Sequence, residues 1–292
     1  MNVATYFESF CKELLVGTTL RSTISTRYLC ICTRLNKDFW KMDTNSGGRY
    51  IGSFGRNTAN GLISDIDMLF EMPQSTYNTY NSYTTNGQSA LLQAVKNSIA
   101  TTYPGTDLKG DGQIVLVKFT DGMKIEVLPA FKNSNESYTF ADSNGGGIWK
   151  TTNPIPEIKT IASGDQLTSN NLRHLCRMTR AWKYNCSVPI KGLLIDTLAY
   201  RFLTAWNYRD KSYLYYDWMC RDFFEYLKNQ TENQTIWYAI GSSQVINNPD
   251  NFRYKATIAF NKTKEAIQYQ TDNMEWSAKQ KWKEIYGSRF PN

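Results

Sequence analysis

Apolar residues recur at helical spacing as soon as the chain begins. Tyr6, Phe7, Phe10 and Leu14 fall within Val3 to about Leu15, where repeats of three and four residues share one helix face. A second helix is predicted from about Ser22 to Trp40, with Ile24, Tyr28, Ile31, Leu35 and Phe39 along one side. The pattern then tightens to strand-like segments at about 49–54 and 65–71, followed by a Tyr/Asn/Thr-rich loop at 75–86. Leu91, Leu92, Val95 and Ile99 mark an amphipathic helix. Ile114-Val115-Leu116-Val117 and Lys124 to Leu128 flank the turn Thr120-Asp121-Gly122 and predict an antiparallel hairpin. After Phe131, Asn144-Gly145-Gly146-Gly147 and the surroundings of Pro154 and Pro156 carry loop chemistry. The glycine run serves as a flap or as a connector, and the pattern leaves both open. From about 168 onward the period is helical, over 169–184, 190–206, 212–229 and a long helix within 250–286. Strands first and helices after argue an α+β fold, with a catalytic half over 1–160 and a helical half over 161–292.

Composition changes this picture little. A chain of 292 residues with 41% hydrophobic and 20% charged residues can bury a large core, which excludes a disordered protein. The net charge of +7 suits a partner bearing phosphates, and equally a merely soluble basic protein. The six cysteines show no CxxC pair and His174 is the single histidine, which argues against a zinc site and for a reducing cytoplasm. No run approaches the ~18 apolar residues of a membrane span, so no membrane partner is expected.

The chemistry concentrates in Gly52-Ser53 and, twelve residues after Ser53, Asp65-Ile66-Asp67. Strand side chains alternate between faces, so Asp65 and Asp67 point one way while Ile66 and Met68 pack. Two carboxylates on one face repel unless a cation lies between them, and hard oxygen donors suit Mg²⁺ or Mn²⁺ carrying substrate phosphates. The bland alternative is one Asp capping a turn and one solvated at a strand end. Glu126, in Met123-Lys124-Ile125-Glu126-Val127, supplies a third acid if its strand lies beside that of Asp65; otherwise it pairs with a lysine across strands. Gly52 permits close backbone approach and a positive φ, and Ser53 offers a hydroxyl and an N–H to phosphate. A helix start after Asn57-Thr58 would add amide donors. On a helix, Arg173, Arg177 and Arg180 share a face bordered by Lys183, a stripe that alone reads as a solvated basic surface. Trp149 and Trp182 read as core.

Gly52-Ser53, Asp65-Ile66-Asp67 and Glu126-Val127-Leu128-Pro129-Ala130-Phe131 together resemble the DNA-polymerase-β-type nucleotidyltransferases. They resemble most the branch of oligoadenylate synthase, cyclic GMP-AMP synthase and the bacterial CD-NTases, or SMODS nucleotidyltransferases. The likeness extends through Arg27-Tyr28, Thr33-Arg34-Leu35-Asn36-Lys37-Asp38-Phe39-Trp40, Asn144 to Trp149, Asn153-Pro154 and Arg180-Ala181-Trp182-Lys183. One departure is Glu126, where the family usually has Asp.

The resemblance implies a polymerase-β-like core, a mixed sheet with flanking helices, packed on a C-terminal helical half. It implies metal binding by Asp65, Asp67 and Glu126, and donor phosphates on Gly52 and Ser53. Arg180 stands where the family places a basic residue on the triphosphate, Lys183 supports it, and Ser187 aligns with a phosphate-contacting serine. Ile246-Asn247-Asn248-Pro249-Asp250 resembles a segment lining the nucleotide pocket. The implied activity joins nucleoside triphosphates into a cyclic di- or oligonucleotide messenger that activates a downstream effector protein in phage defence. A template-independent enzyme making linear products, or modifying tRNA, protein or a small molecule, is the alternative. No required DNA ligand is expected. Base choice, linkage and ring size are open.

Overall fold

A computed structural model describes residues 3–292. In chain order, α1 (Val3–Glu13) and α2 (Thr18–Leu35) are followed by a π-helical turn (Asn36–Trp40), β1 (Gly48–Tyr50) and the single-turn helix α3 (Gly52–Gly55). Next come β2 (Asp65–Glu71), α4 (Gln74–Asn81), α5 (Gly87–Thr102), β3 (Asp107–Asp111), β4 (Ile114–Lys118) and β5 (Lys124–Lys132). The sheet closes with β6 (Tyr138–Asp142) and β7 (Ile148–Thr152). The remainder is α6 (Pro154–Leu167), α7 (Asn171–Asn185), α8 (Gly192–Ala205), α9 (Tyr216–Lys228), β8 (Ile236–Tyr238), β9 (Val245–Asn247), α10 (Arg253–Thr271) and α11 (Glu275–Tyr286).

The chain forms two compact units. One comprises Gly17–Gly55 and Ile63–Ile155; the other comprises residues 3–16 together with Arg56–Leu62 and Pro156–Asn292. Residues 3–16 and 56–62, placed by sequence reading with the catalytic part, cluster with the helices.

The first unit is built on a seven-stranded mixed sheet in the order β1-β2-β5-β4-β3, with β6 on β5 and β7 on β6. Strand β5 is its centre. It runs parallel to β2 along Lys124 to Ala130, takes β4 against Lys124 to Val127 and takes β6 against Ala130 to Lys132. Alternation buries Ile66 and Met68 in β2 and Val115 and Val117 in β4, all at 1% exposure or less. The antiparallel hairpin of β4 and β5 forms as the sequence predicts. Leu91, Leu92, Val95 and Ile99 of α5 are buried.

The second unit is a helical core of aromatics. Phe7 meets Trp282 edge-on at 5.1 Å and Phe290 at 5.5 Å, and Phe10 lies 5.0 Å from Tyr286. Such ring geometries add to what burial alone contributes.

Several expectations give way. The region 75–86 is not all loop, because α4 spans its first part; Tyr77 anchors it, 5.2 Å from Phe131 and 4.9 Å from Trp149. Tertiary packing of this kind decides marginal helices. The strand expected over 49–54 stops at Tyr50, since Gly52 turns at φ +58°. Accordingly, helix α3 precedes Asn57-Thr58 and does not follow it. Prolines 154 and 156 open α6, in the first turn, where missing N–H groups cost nothing. The long helix within 250–286 breaks at Asn273, which has φ +57°. Asn144–Gly146 is a tight turn joining β6 to β7, so the glycine run is a hairpin connector. A small β8–β9 ladder lies among the helices.

Candidate active site

The acids of the sheet unit stand in register. Asp67 pairs with Glu126 and Asp65 with Lys124 across the parallel β2–β5 ladder, so Glu126 lies on the strand beside the two aspartates. Ile66 and Met68 point into packing, and the acid face is half-buried to exposed. Burial pushes the Glu126 carboxyl above its ordinary value, and the charges of Asp67 and Asp65 and a hydrogen bond shared with Asp67 push it further. The carboxylates are thus held against their mutual repulsion. Lys124 Nζ lies 3.2 Å from Asp65 Oδ1, an ion pair with both side chains roughly half exposed and easily exchanged. Among the described residues, no three His, Cys, Asp or Glu side chains gather into a ready-made metal site. Oxygen-only donors on adjoining strands, one forced toward its protonated form, nonetheless fit a hard divalent cation.

Gly52 follows β1 and curls over this face. The N–H of Ile51 donates to the carbonyl of Asp67 at 3.0 Å, tying the turn to β2. A Cβ at Gly52 would sit 1.8 Å from Asp67 Oδ2, and its φ is +58°. Both features demand glycine. Ser53 follows in the first turn of α3, half-buried.

In the helical unit, Arg180, Lys183 and Ser187 line one cleft of about 460 Å³ together with Asn60, Leu62, Tyr184, Val188 and Gly192. That volume lies within the range of small-ligand pockets. Ser187 is exposed and adopts φ +48° where α7 ends. Lys183 is half-buried; burial and then the Arg180 charge lower its pKa, and no acid bonds it among the described residues. Arg180 is deployed differently. Its Nη1 donates to Asp196 Oδ1 at 2.6 Å and to the Cys176 carbonyl at 3.2 Å. Nη2 donates to Asp196 Oδ2 at 2.9 Å and to the Gly192 carbonyl at 3.1 Å.

The arginine stripe is not a solvated face. Arg177 is 5% exposed and donates to the carbonyls of Asn57 at 2.7 Å and Ala59 at 3.3 Å. Arg173 binds the carbonyl of Arg56 at 3.2 Å and pairs with Asp165 at 3.1 Å. Sequence reasoning missed the partners of this stripe. Asp196, fully buried, also receives Arg56 Nε at 2.8 Å and the Thr58 hydroxyl at 2.9 Å, and Glu157 takes Arg56 Nη1 at 3.1 Å. Asp196 is held down to about 2: burial opposes this, and Arg180 and Arg56 outweigh it. An Asp inside the apolar run Leu193-Leu194-Ile195-Asp196 was the available signal. Asn248, 2% exposed, accepts from Lys191 N at 2.8 Å and donates to the Pro189 carbonyl at 3.1 Å, which fixes the entry to α8. Trp182 is core, and Trp149 packs against Phe131 and Tyr77 with its Nε1 on Asn81.

A mixed sheet with carboxylates on its central strands, beside a glycine-led turn, defines the nucleotidyltransferase class, and comparison with known proteins agrees. A family model described as the Second Messenger Oligonucleotide or Dinucleotide Synthetase (SMODS) domain matches residues 1–164. The chain belongs to this family of nucleotidyltransferases. It is 23% identical over 276 residues to a probable cyclic nucleotide synthase of Bacillus cereus (strain VD146), covering 82% of this chain and 81% of that one. Its fold matches Vibrio cholerae DncV cyclic AMP-GMP synthase, solved with the linear intermediate 5′ pppA(3′,5′)pG, at TM-score 0.74 and 14% identity over 100% and 97% of the two chains. CdnC of E. coli MS115-1, solved in complex with HORMA-deltaN, matches at TM-score 0.71 and 14% identity over 99% and 98%. Among the described residues no helix is long and apolar enough to cross a membrane.

Proposed function

We propose that this protein joins nucleoside triphosphates into a cyclic di- or oligonucleotide with release of pyrophosphate, and that the product is a second messenger activating an effector in phage defence in the cytoplasm. The observation that carries the reading is the carboxylate face of the β2–β5 ladder closed by Gly52, in a chain of the SMODS family. A ribose hydroxyl attacks the α-phosphorus of the donor and releases its proton to solvent; an O–P bond forms as the bond to pyrophosphate breaks. Asp65, Asp67 and Glu126 would hold a divalent cation, Mg²⁺ or Mn²⁺. When bound, such an ion would supply Lewis-acid polarisation of the attacking hydroxyl and the leaving oxygens. Gly52 and Ser53 bring backbone and hydroxyl to the donor phosphates, and in the helical unit Arg180, Lys183 and Ser187 support nucleotide phosphate.

Purified protein incubated with the four NTPs and Mg²⁺, then with phosphatase, tests this by mass spectrometry. Phosphatase-resistant cyclic products made only with metal are expected. Products with phosphatase-sensitive 5′-triphosphate ends would instead make it a synthase of linear chains.

A further inference from the structure

We propose that Lys118 and Lys124, side by side on β4 and β5, clamp the 5′-phosphates of the accepting nucleotide, so that chains start on a nucleoside triphosphate and not on an uncharged nucleoside. This rests on the reading of the acid face as the transfer site.

Four charged side chains stand in register across one end of the sheet. Asp107 of β3 pairs with Lys118 of β4, Lys118 with Lys124 of β5, and Lys124 with Asp65 of β2. Register partners share a face, so this row lies on the face of Asp67 and Glu126, which form the next row along. The two lysines in the middle are directly opposite one another, and like charges so placed destabilise a ladder. Each is drawn to the acid on its outer side. Lys118 Nζ lies 3.0 Å from Asp107 Oδ2, and Lys124 Nζ 3.2 Å from Asp65 Oδ1. All four side chains are at least 42% exposed, so both ion pairs exchange readily for another anion. A phosphate between the lysines relieves their repulsion and accepts a charge-assisted hydrogen bond from each.

Strand order decides which nucleotide this pair serves. The sheet runs β1-β2-β5-β4, so the turn of Gly52 and Ser53 after β1 and the two lysines flank the aspartates of β2 from opposite sides. In-line displacement puts the attacking hydroxyl and the leaving pyrophosphate on opposite sides of the α-phosphorus. With the donor phosphates on the Gly52 turn, the attacking nucleotide enters over β5 and β4. Adjacent strands are about 4.8 Å apart, so the lysines stand one and two strand spacings from the aspartates. That places them to hold the 5′-end of a nucleotide whose ribose hydroxyl lies among the acids.

The test is a competition in one vessel. The full chain, Mg²⁺ and the four NTPs are incubated with equal concentrations of the four nucleosides. Mass spectrometry then compares products begun on a triphosphate, rings included, with products begun on a nucleoside. Both kinds need the same acids and the same donor site, so their ratio moves only with the choice of acceptor. Wild type should favour triphosphate starts by about a hundredfold, and Lys118→Met and Lys124→Met should each cut that ratio about tenfold, the worth of one hydrogen bond to a charged group. Lys118→Arg keeps the charge and should stay within about threefold of wild type. A ratio unchanged in either Met variant, at whatever total rate, would overturn the clamp and leave the transfer site standing. A wild type that makes no phosphodiester product from either acceptor would overturn the reading of the site itself.

Discussion

In the sheet unit, Asp65, Asp67 and Glu126 share one face, Lys124 pairs with Asp65, and Glu126 is driven toward its neutral form. In the helical unit, Arg56, Arg180, Asp196 and Glu157 are buried to a greater degree, yet each is bonded to an opposite charge. The first arrangement is unfavourable until something binds, which is what supports the proposed metal site. The second is complete without a ligand. Burial alone therefore does not distinguish the two clusters; the balance of charge within each does.

The sharpest way to break the comparison is to remove one charge from the complete set. Asp196→Asn leaves Arg56 and Arg180 competing for one amide oxygen in a dry site. Breaking a buried pair from one side costs about 3–5 kcal/mol, so chemical denaturation should show a loss of that order. A loss below about 1 kcal/mol would mean the set is not what holds 56–62 and α7 together.

The acid face should behave in the opposite way. Asp67→Asn is expected to fold with unchanged circular dichroism and to lose at least about a hundredfold in kcat, since bound cations supply several kcal/mol of transition-state stabilisation. Undiminished product formation in a folded variant would show that Asp67 does not hold metal.

A third effect lies in the helical unit alone. Burial, aided by Arg177, pushes His174 from its ordinary 6.5 down to about 4, with Asp165 opposing. Its Nδ1 lies 2.7 Å from the Tyr216 hydroxyl, which itself donates to Asn171 Oδ1, so His174 is the donor and stays neutral. Its ring also stacks on Tyr213. The folded state resists the proton that the unfolded chain accepts, so this contribution is intact above about pH 6.5 and fades toward about pH 4. Urea unfolding should show wild type losing about 2–3 kcal/mol more than His174→Phe between these limits. Parallel pH profiles for the two proteins would contradict it.

How much of this was legible in the sequence follows the same division. The acid face was, because a period of two in Asp65-Ile66-Asp67 sorts acids from packing residues within one strand, and a turn at Thr120-Asp121-Gly122 orients the strand of Glu126. The arginine stripe was misread, because its acceptors are backbone carbonyls of Arg56, Asn57 and Ala59, more than a hundred positions away and without side-chain signature. Helix α4 was lost to its Tyr, Asn and Thr composition, which Tyr77 overrides by packing on Phe131 and Trp149.

The smallest expected effect on stability is also the one that separates the two units most cleanly. Glu126→Gln removes one of the crowded charges while keeping size and a hydrogen-bonding oxygen beside Asp67. Loss of a repelling charge on a half-buried face should raise stability, by about 1 kcal/mol or less given solvent screening. The same variant should lose nearly all synthesis, because a neutral amide is a poor ligand for a hard cation. Thermal unfolding with and without Mg²⁺ reads both consequences. Wild type should gain stability from the ion through mass action, and Glu126→Gln should gain less. A variant that is less stable than wild type without metal would mean that Glu126 is held by Lys124, two residues before it on β5, as an ordinary ion pair, and that the acid face is as complete in itself as the arginine set.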